Sequence, residues 1–149
     1  MITVTKMTDA HIDAVYAIEE RAFSSPWSRE SFVEELTRKN AYYFVALDEE
    51  NQVMGYAGLW HIINEGHINN IAVDENYRKR GVGAALMDAF FALAETLALI
   101  GLTLEVRVGN RAAMALYHKY GFKVEGYRKN YYSDPTEDAV IMWKYFTEV

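Results

Sequence analysis

The segment Ile71-Ala72-Val73-Asp74-Glu75-Asn76-Tyr77-Arg78-Lys79-Arg80-Gly81-Val82-Gly83-Ala84-Ala85-Leu86 carries the strongest pattern of the chain. An apolar strand ends in a basic turn with two glycines, and the turn opens a helix. Such a turn points free backbone N–H groups outward and lets an anion approach the main chain closely. Three cations stand at the helix start, where the helix dipole already disfavours positive charge. A polyanionic ligand would relieve that conflict, so the segment predicts a phosphate cradle.

A solvated run of cations followed by an ordinary glycine turn would account for the same residues, since short motifs often match by chance. The segment is not a P-loop, because no Gly-Lys-Ser or Gly-Lys-Thr follows at the required spacing. It is also a poor Rossmann fingerprint, because the third glycine position holds Leu86. The choice between a cradle and a surface turn therefore depends on the rest of the chain.

Composition narrows the class of protein. The chain has 149 residues, 51% of them hydrophobic and 24% charged, which is ordinary for a globular protein with a real core. Its net charge of −6 disfavours a general nucleic-acid binder, which is usually basic. It has no cysteine, and its four histidines have no ligand spacing, so no disulfide, thiolate nucleophile or metal site is expected.

The chain has no linker, signal pattern or long apolar run. We therefore expect a single domain over residues 1–149, a cytoplasmic location and no membrane partner. The apolar helix faces can be accounted for by one core, so a monomer is the default.

Periodicity predicts an α+β fold with a mixed sheet. Strands are expected at 2–6, 42–47, 53–63, 67–73, 102–108, 122–127 and 138–146. Helices are expected after Thr8, Ser28, Gly81 and Asn110, with Gly101 ending the third and Gly121 and Phe122 ending the fourth. The first two should bury Ile12, Val15, Ile18 and Ala22, and Phe32, Val33 and Leu36, respectively. Gly55 and Gly58 should mark bulges or close approaches within a strand.

The strand at 102–108 alternates between an apolar face and a face with Thr103, Glu105 and Arg107. Its polar face could simply be wet. Twelve residues after Glu105 comes Tyr117, in a helix that begins at Asn110. Tyr117 could serve only helix packing, and Asn110 could be only an N-cap.

Two motifs nevertheless occur together: Arg-x-x-Gly-x-Gly from Arg78, and Asn-x-x-Ala-x-x-Leu-Tyr-x-x-x-Gly-Phe from Asn110. In this order, and over essentially the whole length, the chain resembles the GNAT superfamily of acetyl-CoA-dependent N-acetyltransferases. The resemblance implies a mostly antiparallel sheet of about seven strands flanked by about four helices. Shorter strings, Ser25-Pro26-Trp27-Ser28, Asn70-Ile71-Ala72-Val73, Leu104-Glu105-Val106-Arg107 and Asn130-Tyr131-Tyr132, resemble the RimI-type subgroup. Those bacterial enzymes acetylate the N-terminal alanine of a small-subunit ribosomal protein.

The resemblance also implies roles for particular residues, with acetyl-CoA as co-substrate and no metal. Glu105 would be the general base, and Tyr117 the general acid toward the leaving thiolate. The cofactor would be held by Ile71, Ala72, Val73, Arg78, Lys79, Arg80, Gly81, Val82, Gly83, Ala84 and Asn110. A protein N-terminus would enter between the first two helices and the late hairpin, against Trp27, Tyr131 and Tyr132. The two tyrosines are expected in a loop, at least one of them exposed, and Glu30, Glu34 and Glu35 would give the second helix an acidic edge.

The chemistry leaves several alternatives open. An ordinary carboxylate is a weak base for an amine, so Glu105 would either sit in a desolvated site or relay the proton through water. The acceptor could instead be a small-molecule amine or a lysine side chain. A non-catalytic acetyl-CoA-binding module is a further alternative, but a degenerate site would have no need for both Glu105 and Tyr117.

Overall fold

The computed structural model describes residues 1–146 and contains a seven-stranded sheet in the order β1-β2-β3-β4-β5-β7-β6. The strands are β1 (Thr3–Lys6), β2 (Ala41–Leu47), β3 (Val53–Ile62), β4 (Glu65–Val73), β5 (Gly101–Arg107), β6 (Lys123–Tyr132) and β7 (Glu137–Tyr145). The helices are α1 (Ile12–Ala22), α2 (Arg29–Glu35), α3 (Val82–Thr96) and α4 (Arg111–Lys119), with 3-10 turns at Asp9–His11 and Glu75–Tyr77. The predicted α+β architecture is confirmed.

The pairing of β4 with β5 differs from that of the other neighbouring strands. Strands β4 and β5 are parallel, whereas the other neighbours pair antiparallel. The parallel pairing extends only from Glu65↔Gly101 to His67↔Thr103. Beyond it, β4 continues to Val73 beside β3, and β5 continues to Arg107 beside β7. The two strands therefore diverge toward their carboxyl ends and open a cleft in the middle of the sheet.

The sheet buries apolar residues on both faces because successive residues of a strand point to opposite sides. In β3, Tyr56 belongs to a cluster with Val15 of α1 and Phe32 of α2. Its neighbour Ala57 belongs to a second cluster with Phe90 of α3. The helices thus hold the central strands from both faces. No helix within residues 1–146 is long and apolar enough to cross a membrane.

Several local predictions are confirmed. The Ser28 hydroxyl accepts a hydrogen bond from Ser31 N at 3.1 Å and caps α2. Gly121 has a φ of +90°, and Phe122 after it is fully buried. A Cβ at Gly58 would overlap the ring of Tyr43, so this glycine is required by a close approach.

Other local predictions are wrong. Helix α3 ends at Thr96 because Ala98 adopts a left-handed φ of 54°, and Gly101 begins β5 instead of ending the helix. The β6–β7 ladder resumes at Tyr132↔Glu137 after an irregularity, so Tyr131 and Tyr132 end β6 instead of lying in a loop. The short helix α2 buries one narrow face and leaves Val33 exposed, and Ala22 at the end of α1 is exposed as well.

Candidate active site

A cavity of about 760 Å³ lies where β4 and β5 diverge. Its walls are Ile68–Ile71 of β4, Leu104–Arg107 of β5, Asn110, Ala113 and Tyr117 on the α4 side, Glu19, Ala22–Ser25 and Trp27 from α1 and the turn after it, and Tyr131–Ser133, Pro135 and Glu137 from the β6–β7 hairpin. The fold thus brings together Glu105, Tyr117, Trp27, Tyr131 and Tyr132, which the sequence analysis selected separately. Ala72, Val73 and the basic turn at Arg78–Gly81 do not line this cavity. Ala72 and Val73 end β4 beyond it, and the basic turn follows the 3-10 turn at Glu75–Tyr77.

Glu105 lies on the polar face of β5, as the alternation predicts. Its side chain is 30% exposed, and its Oε2 atom lies 3.1 Å from Nε of Arg128. Oε2 is buried, and no hydrogen bond to it is seen among residues 1–146. The charge of the carboxylate is therefore partly compensated by Arg128, and the exposed part of the side chain is its other oxygen.

Tyr117 lies on the inner face of α4. Its side chain is only 4% exposed, and its ring packs against Phe122 at a centroid distance of 5.8 Å. Burial, with a smaller contribution from Tyr132, raises the pKa of Tyr117 well above its ordinary value of 10. The phenol therefore stays protonated throughout the neutral range and can donate a hydrogen bond.

The hairpin wall of the cavity is fastened by Arg107, which the sequence analysis did not assign a role. Its guanidinium donates to the main-chain oxygens of Ser133 and Pro135 at 3.0 and 2.9 Å and lies 4.5 Å from the centre of the Tyr132 ring. Burial and the nearby charge of Glu105 raise the pKa of Tyr132 to about 12. Tyr131, by contrast, is exposed at 53%. The alternation of β5 had placed Arg107 beside Glu105, but its partners could be seen only in the fold.

The opposite wall is formed by the turn between α1 and α2. Trp27 is half-buried, and its ring packs on Phe32 at 5.4 Å while it also lines the cavity. The same wall contains Glu19, a carboxylate that is only 2% exposed. Sequence reasoning missed Glu19, because a glutamate within a helix usually faces solvent.

The basic turn has the features that an anionic group requires. Gly81, with a φ of +85°, is the N-cap of α3, and no side chain of residues 1–146 caps the helix. Arg78, Lys79 and Arg80 are exposed, and within residues 1–146 none of the three has a carboxylate within 4 Å. An uncapped helix N-terminus beside three cations fits a phosphate or pyrophosphate group.

Asn110 is the N-cap of α4, which is the structural role that the sequence analysis considered for it. Its Oδ1 atom accepts a hydrogen bond from Ala113 N at 3.2 Å and caps α4. The residue also lines the cavity. No group of three or more potential ligands for a metal ion occurs in the part of the chain that the structure describes.

Residues 12–122 match the model of the acetyltransferase (GNAT) family. The chain belongs to this family and is an acetyl-CoA-dependent N-acetyltransferase. It is 35% identical over 144 residues to the [ribosomal protein bS18]-alanine N-acetyltransferase of Escherichia coli K12, covering 95% of this chain and 96% of that one. It is 39% identical over 140 residues to a Bacillus subtilis protein that carries the same name provisionally, covering 94% and 93% of the two chains.

Solved structures agree with this placement. The crystal structure of the ribosomal-protein-S18-alanine N-acetyltransferase from Escherichia coli matches with a TM-score of 0.90 at 32% identity, covering 100% of this chain and 96% of that one. Ard1 from Thermoplasma volcanium matches with a TM-score of 0.90 at 30% identity and 99% coverage of both chains. The resemblance to the superfamily, and within it to the RimI-type enzymes, is thereby confirmed.

Proposed function

We propose that this enzyme transfers the acetyl group of acetyl-CoA to a protein N-terminal α-amine, and that its acceptor is the N-terminal alanine of ribosomal protein bS18. The observation that carries the proposal is the convergence of Glu105 and Tyr117 on one cavity whose outer walls are Trp27 and the Tyr131–Tyr132 pair. The names of the Escherichia coli and Bacillus subtilis relatives, which align over nearly the whole chain, support this acceptor.

The donor would be held by two parts of the chain. Beyond His67, β4 has no pairing partner on its β5 side among the described residues, so the main chain of Ile71, Ala72 and Val73 can bond an amide-bearing arm. The turn from Arg78 to Ala84 would hold the pyrophosphate, with Asn110 on the other side of the cleft. Bound there, acetyl-CoA supplies an activated acetyl thioester.

The amine must be neutral to attack a thioester. At pH 7 roughly a tenth of an α-amine with a pKa of ~8 is neutral, against fewer than one in a thousand of a lysine with a pKa of ~10.4. An N-terminal acceptor therefore demands less of the base. The Glu105 side chain is 30% exposed although its Oε2 atom is buried, so we infer that its other oxygen takes the proton lost by the amine through one water molecule.

Tyr117 would act on the departing sulfur. A thiol has a pKa of ~8.5 and an ordinary tyrosine one of ~10, and burial raises that of Tyr117 further. Complete proton transfer to the thiolate is therefore uphill by more than ~1.5 pKa units. We infer that Tyr117 stabilises the thiolate with a hydrogen bond, and direct attack by the amine requires no nucleophile from the enzyme.

Exposed acidic side chains on α2, the helix that follows the Trp27 turn, would favour a basic peptide. They are Glu30 and Glu34. Glu35 does not join them, contrary to the sequence expectation, because it is buried against β2 and β3, where it accepts hydrogen bonds from Tyr43 and Trp60. The acidic edge is thus smaller than the sequence predicts.

The proposal is tested by mass spectrometry on a peptide that begins with Ala, continues with aromatic and basic residues and contains an internal lysine. A gain of one acetyl group, located by fragmentation on the N-terminal nitrogen, is expected. A peptide of the same sequence with a blocked α-amine is the matched control and should gain nothing. A gain on lysine would contradict the proposed acceptor but retain the enzyme class, and no gain with intact acetyl-CoA binding would indicate a small-molecule acceptor or a non-catalytic role.

A further inference from the structure

We propose that Glu19 is a positioning residue for the acceptor: its buried carboxylate ties the turn that carries Trp27 to β3 and β4, and so sets the width of the acceptor side of the cleft. This inference rests on the proposed function, because it assigns the Trp27 wall to the acceptor. It concerns a residue that neither the motifs nor the mechanism above uses.

Three donors from three separate elements converge on this carboxylate. The Oε2 atom accepts a hydrogen bond from the main-chain N–H of Trp27 at 2.8 Å. The Oε1 atom accepts one from the Tyr56 hydroxyl of β3 and one from Asn70 Nδ2 of β4 at 2.9 Å. Burial, followed by the charge of Glu19, raises the pKa of Tyr56, which keeps its hydroxyl protonated and able to donate. Glu19 therefore joins the turn directly to the strand that would contact the acetyl donor.

Few other hydrogen bonds hold the turn between α1 and α2. The N–H of Phe23 closes the last turn of α1 on Glu19 O at 3.1 Å, and the next main-chain hydrogen bond within residues 1–146 is the cap at Ser28. Between them, Ser24, Ser25 and Pro26 are exposed. Hydrogen bonds to a charged acceptor are stronger than neutral ones. The ion pair between Arg29 and Asp13, at 2.7 Å, joins the two helices that flank the turn, but both side chains are exposed and such pairs contribute little. The bond from Trp27 N to Glu19 is thus the main polar restraint on the turn itself, in addition to the contact between Trp27 and Phe32.

The geometry also explains why Glu19 is not a second base. Both of its oxygens already accept hydrogen bonds, and the side chain is almost completely buried. A group in this position acts on the acceptor only through Trp27. Its loss should therefore weaken acceptor binding more than it slows turnover.

Glu19→Gln is the decisive variant. Glutamine has the same shape but a single acceptor oxygen, so its NH2 group must face one of the donors. If the oxygen stays with Tyr56 and Asn70, the hydrogen bond from Trp27 N is lost. We expect the KM for the acceptor peptide to rise about tenfold or more, the scale of one hydrogen bond to a charged group. The KM for acetyl-CoA and kcat should stay within about twofold of the wild-type values.

Glu35→Gln is the matched control. Glu35 is also a buried carboxylate with three side-chain donors, from Tyr43, Trp60 and Arg38, but it does not line the cavity. Both variants should lower Tm, because each replaces a carboxylate oxygen that accepts a hydrogen bond by an NH2 group that cannot. Only Glu19→Gln should raise the acceptor KM.

A second measurement needs no variant. In the wild-type protein, the amide of Trp27 should exchange its hydrogen with solvent more slowly than those of Ser24 and Ser25. Equal exchange rates at the three amides would overturn the proposal. So would equal effects of the two variants on both KM values, or a fall in kcat with an unchanged acceptor KM in Glu19→Gln.

The failure of this inference is separable from that of the proposed function. Wild-type acetylation of the Ala peptide decides the function. The role of Glu19 is decided by the ratio of the acceptor KM of Glu19→Gln to that of Glu35→Gln, measured on whichever amine the wild-type enzyme acetylates. The hydrogen exchange of the Trp27 amide is the second criterion.

Discussion

Replacement of Tyr117 by Phe removes a single hydroxyl from the cavity and leaves the rest of the ring in place. The contact with Phe122 at 5.8 Å is retained by phenylalanine. Within residues 1–146 no hydrogen bond from the Tyr117 hydroxyl to another residue is seen. No buried polar group loses a hydrogen-bond partner, so the free energy of unfolding should change by less than about 1 kcal/mol. Any large effect on turnover is then attributable to the missing donor.

The expected loss of kcat follows from the strength of the bond to the departing thiolate. A hydrogen bond to a charged group contributes about 1.5–3 kcal/mol, and about 2.7 kcal/mol corresponds to a 100-fold fall in kcat. The affinity for acetyl-CoA should be unchanged, since the bond forms only as charge develops on sulfur. Release of free thiol is the assay, with thermal unfolding in parallel.

The pH profile adds an independent check. Because burial holds the pKa of Tyr117 above its ordinary value of 10, its phenol should stay protonated, and wild-type kcat should show no fall due to Tyr117 between about pH 7 and pH 10. Tyr145→Phe is the control, as Tyr145 lies outside the cavity and donates a hydrogen bond to Glu125. The reasoning would be refuted by a kcat of Tyr117→Phe within twofold of wild type, or by an alkaline fall below pH 10 that this variant abolishes.

Three further predictions concern the base, the cradle and the buried carboxylate of α2. Glu105→Gln keeps the shape of the side chain but not its basicity, so kcat should fall ~10²-fold or more in the thiol-release assay while acetyl-CoA affinity holds; unchanged turnover would remove Glu105 from its role. Gly83→Asp should weaken acetyl-CoA binding in calorimetry far more than Gly83→Ala. Both variants place a Cβ 3.0 Å from Leu116, but only aspartate brings a negative charge, so equal affinities would contradict the cradle. Burial alone would raise the pKa of Glu35, but hydrogen bonds from its three neighbouring donors outweigh it and hold the pKa below its usual value of 4.5. The stability that this carboxylate contributes is complete above pH 4.5 and is lost as the pH falls through the lowered pKa. The free energy of unfolding should therefore fall more steeply with decreasing pH in wild type than in Glu35→Gln. Parallel curves of unfolding free energy against pH would refute this.

The features that could be predicted from the sequence are those set by short-range periodicity. The alternation of β5 placed Glu105 on a polar face, and the spacing from Asn110 to Gly121 defined a capped helix with Tyr117 inside it. Gly121 could be assigned because the left-handed turn that ends α4 is a local demand, whereas the reason for Gly58, the ring of Tyr43 on the neighbouring strand, is seen only in the fold. Family motifs then connected these elements to acetyl transfer.

Element ends were less predictable, because they depend on pairing partners. The strand β6 continues to Tyr132 only because β7 offers Glu137 opposite it. This extension fixes the direction of the Tyr131–Tyr132 wall. Sequence alone had placed these residues in a loop, since it contains no information on whether the ladder resumes after a bulge.

The sequence by itself determined the fold class, the two motifs and the choice of Glu105 and Tyr117, because these depend on residues that are neighbours in the chain. Only the tertiary structure decided where the cleft opens, since this depends on the end of the β4–β5 pairing at His67↔Thr103. It also decided the role of Glu19, whose partners Tyr56 and Asn70 are 37 and 51 residues away. A carboxylate becomes a buried anchor only when distant donors converge on it, and that convergence has no local signature in the sequence.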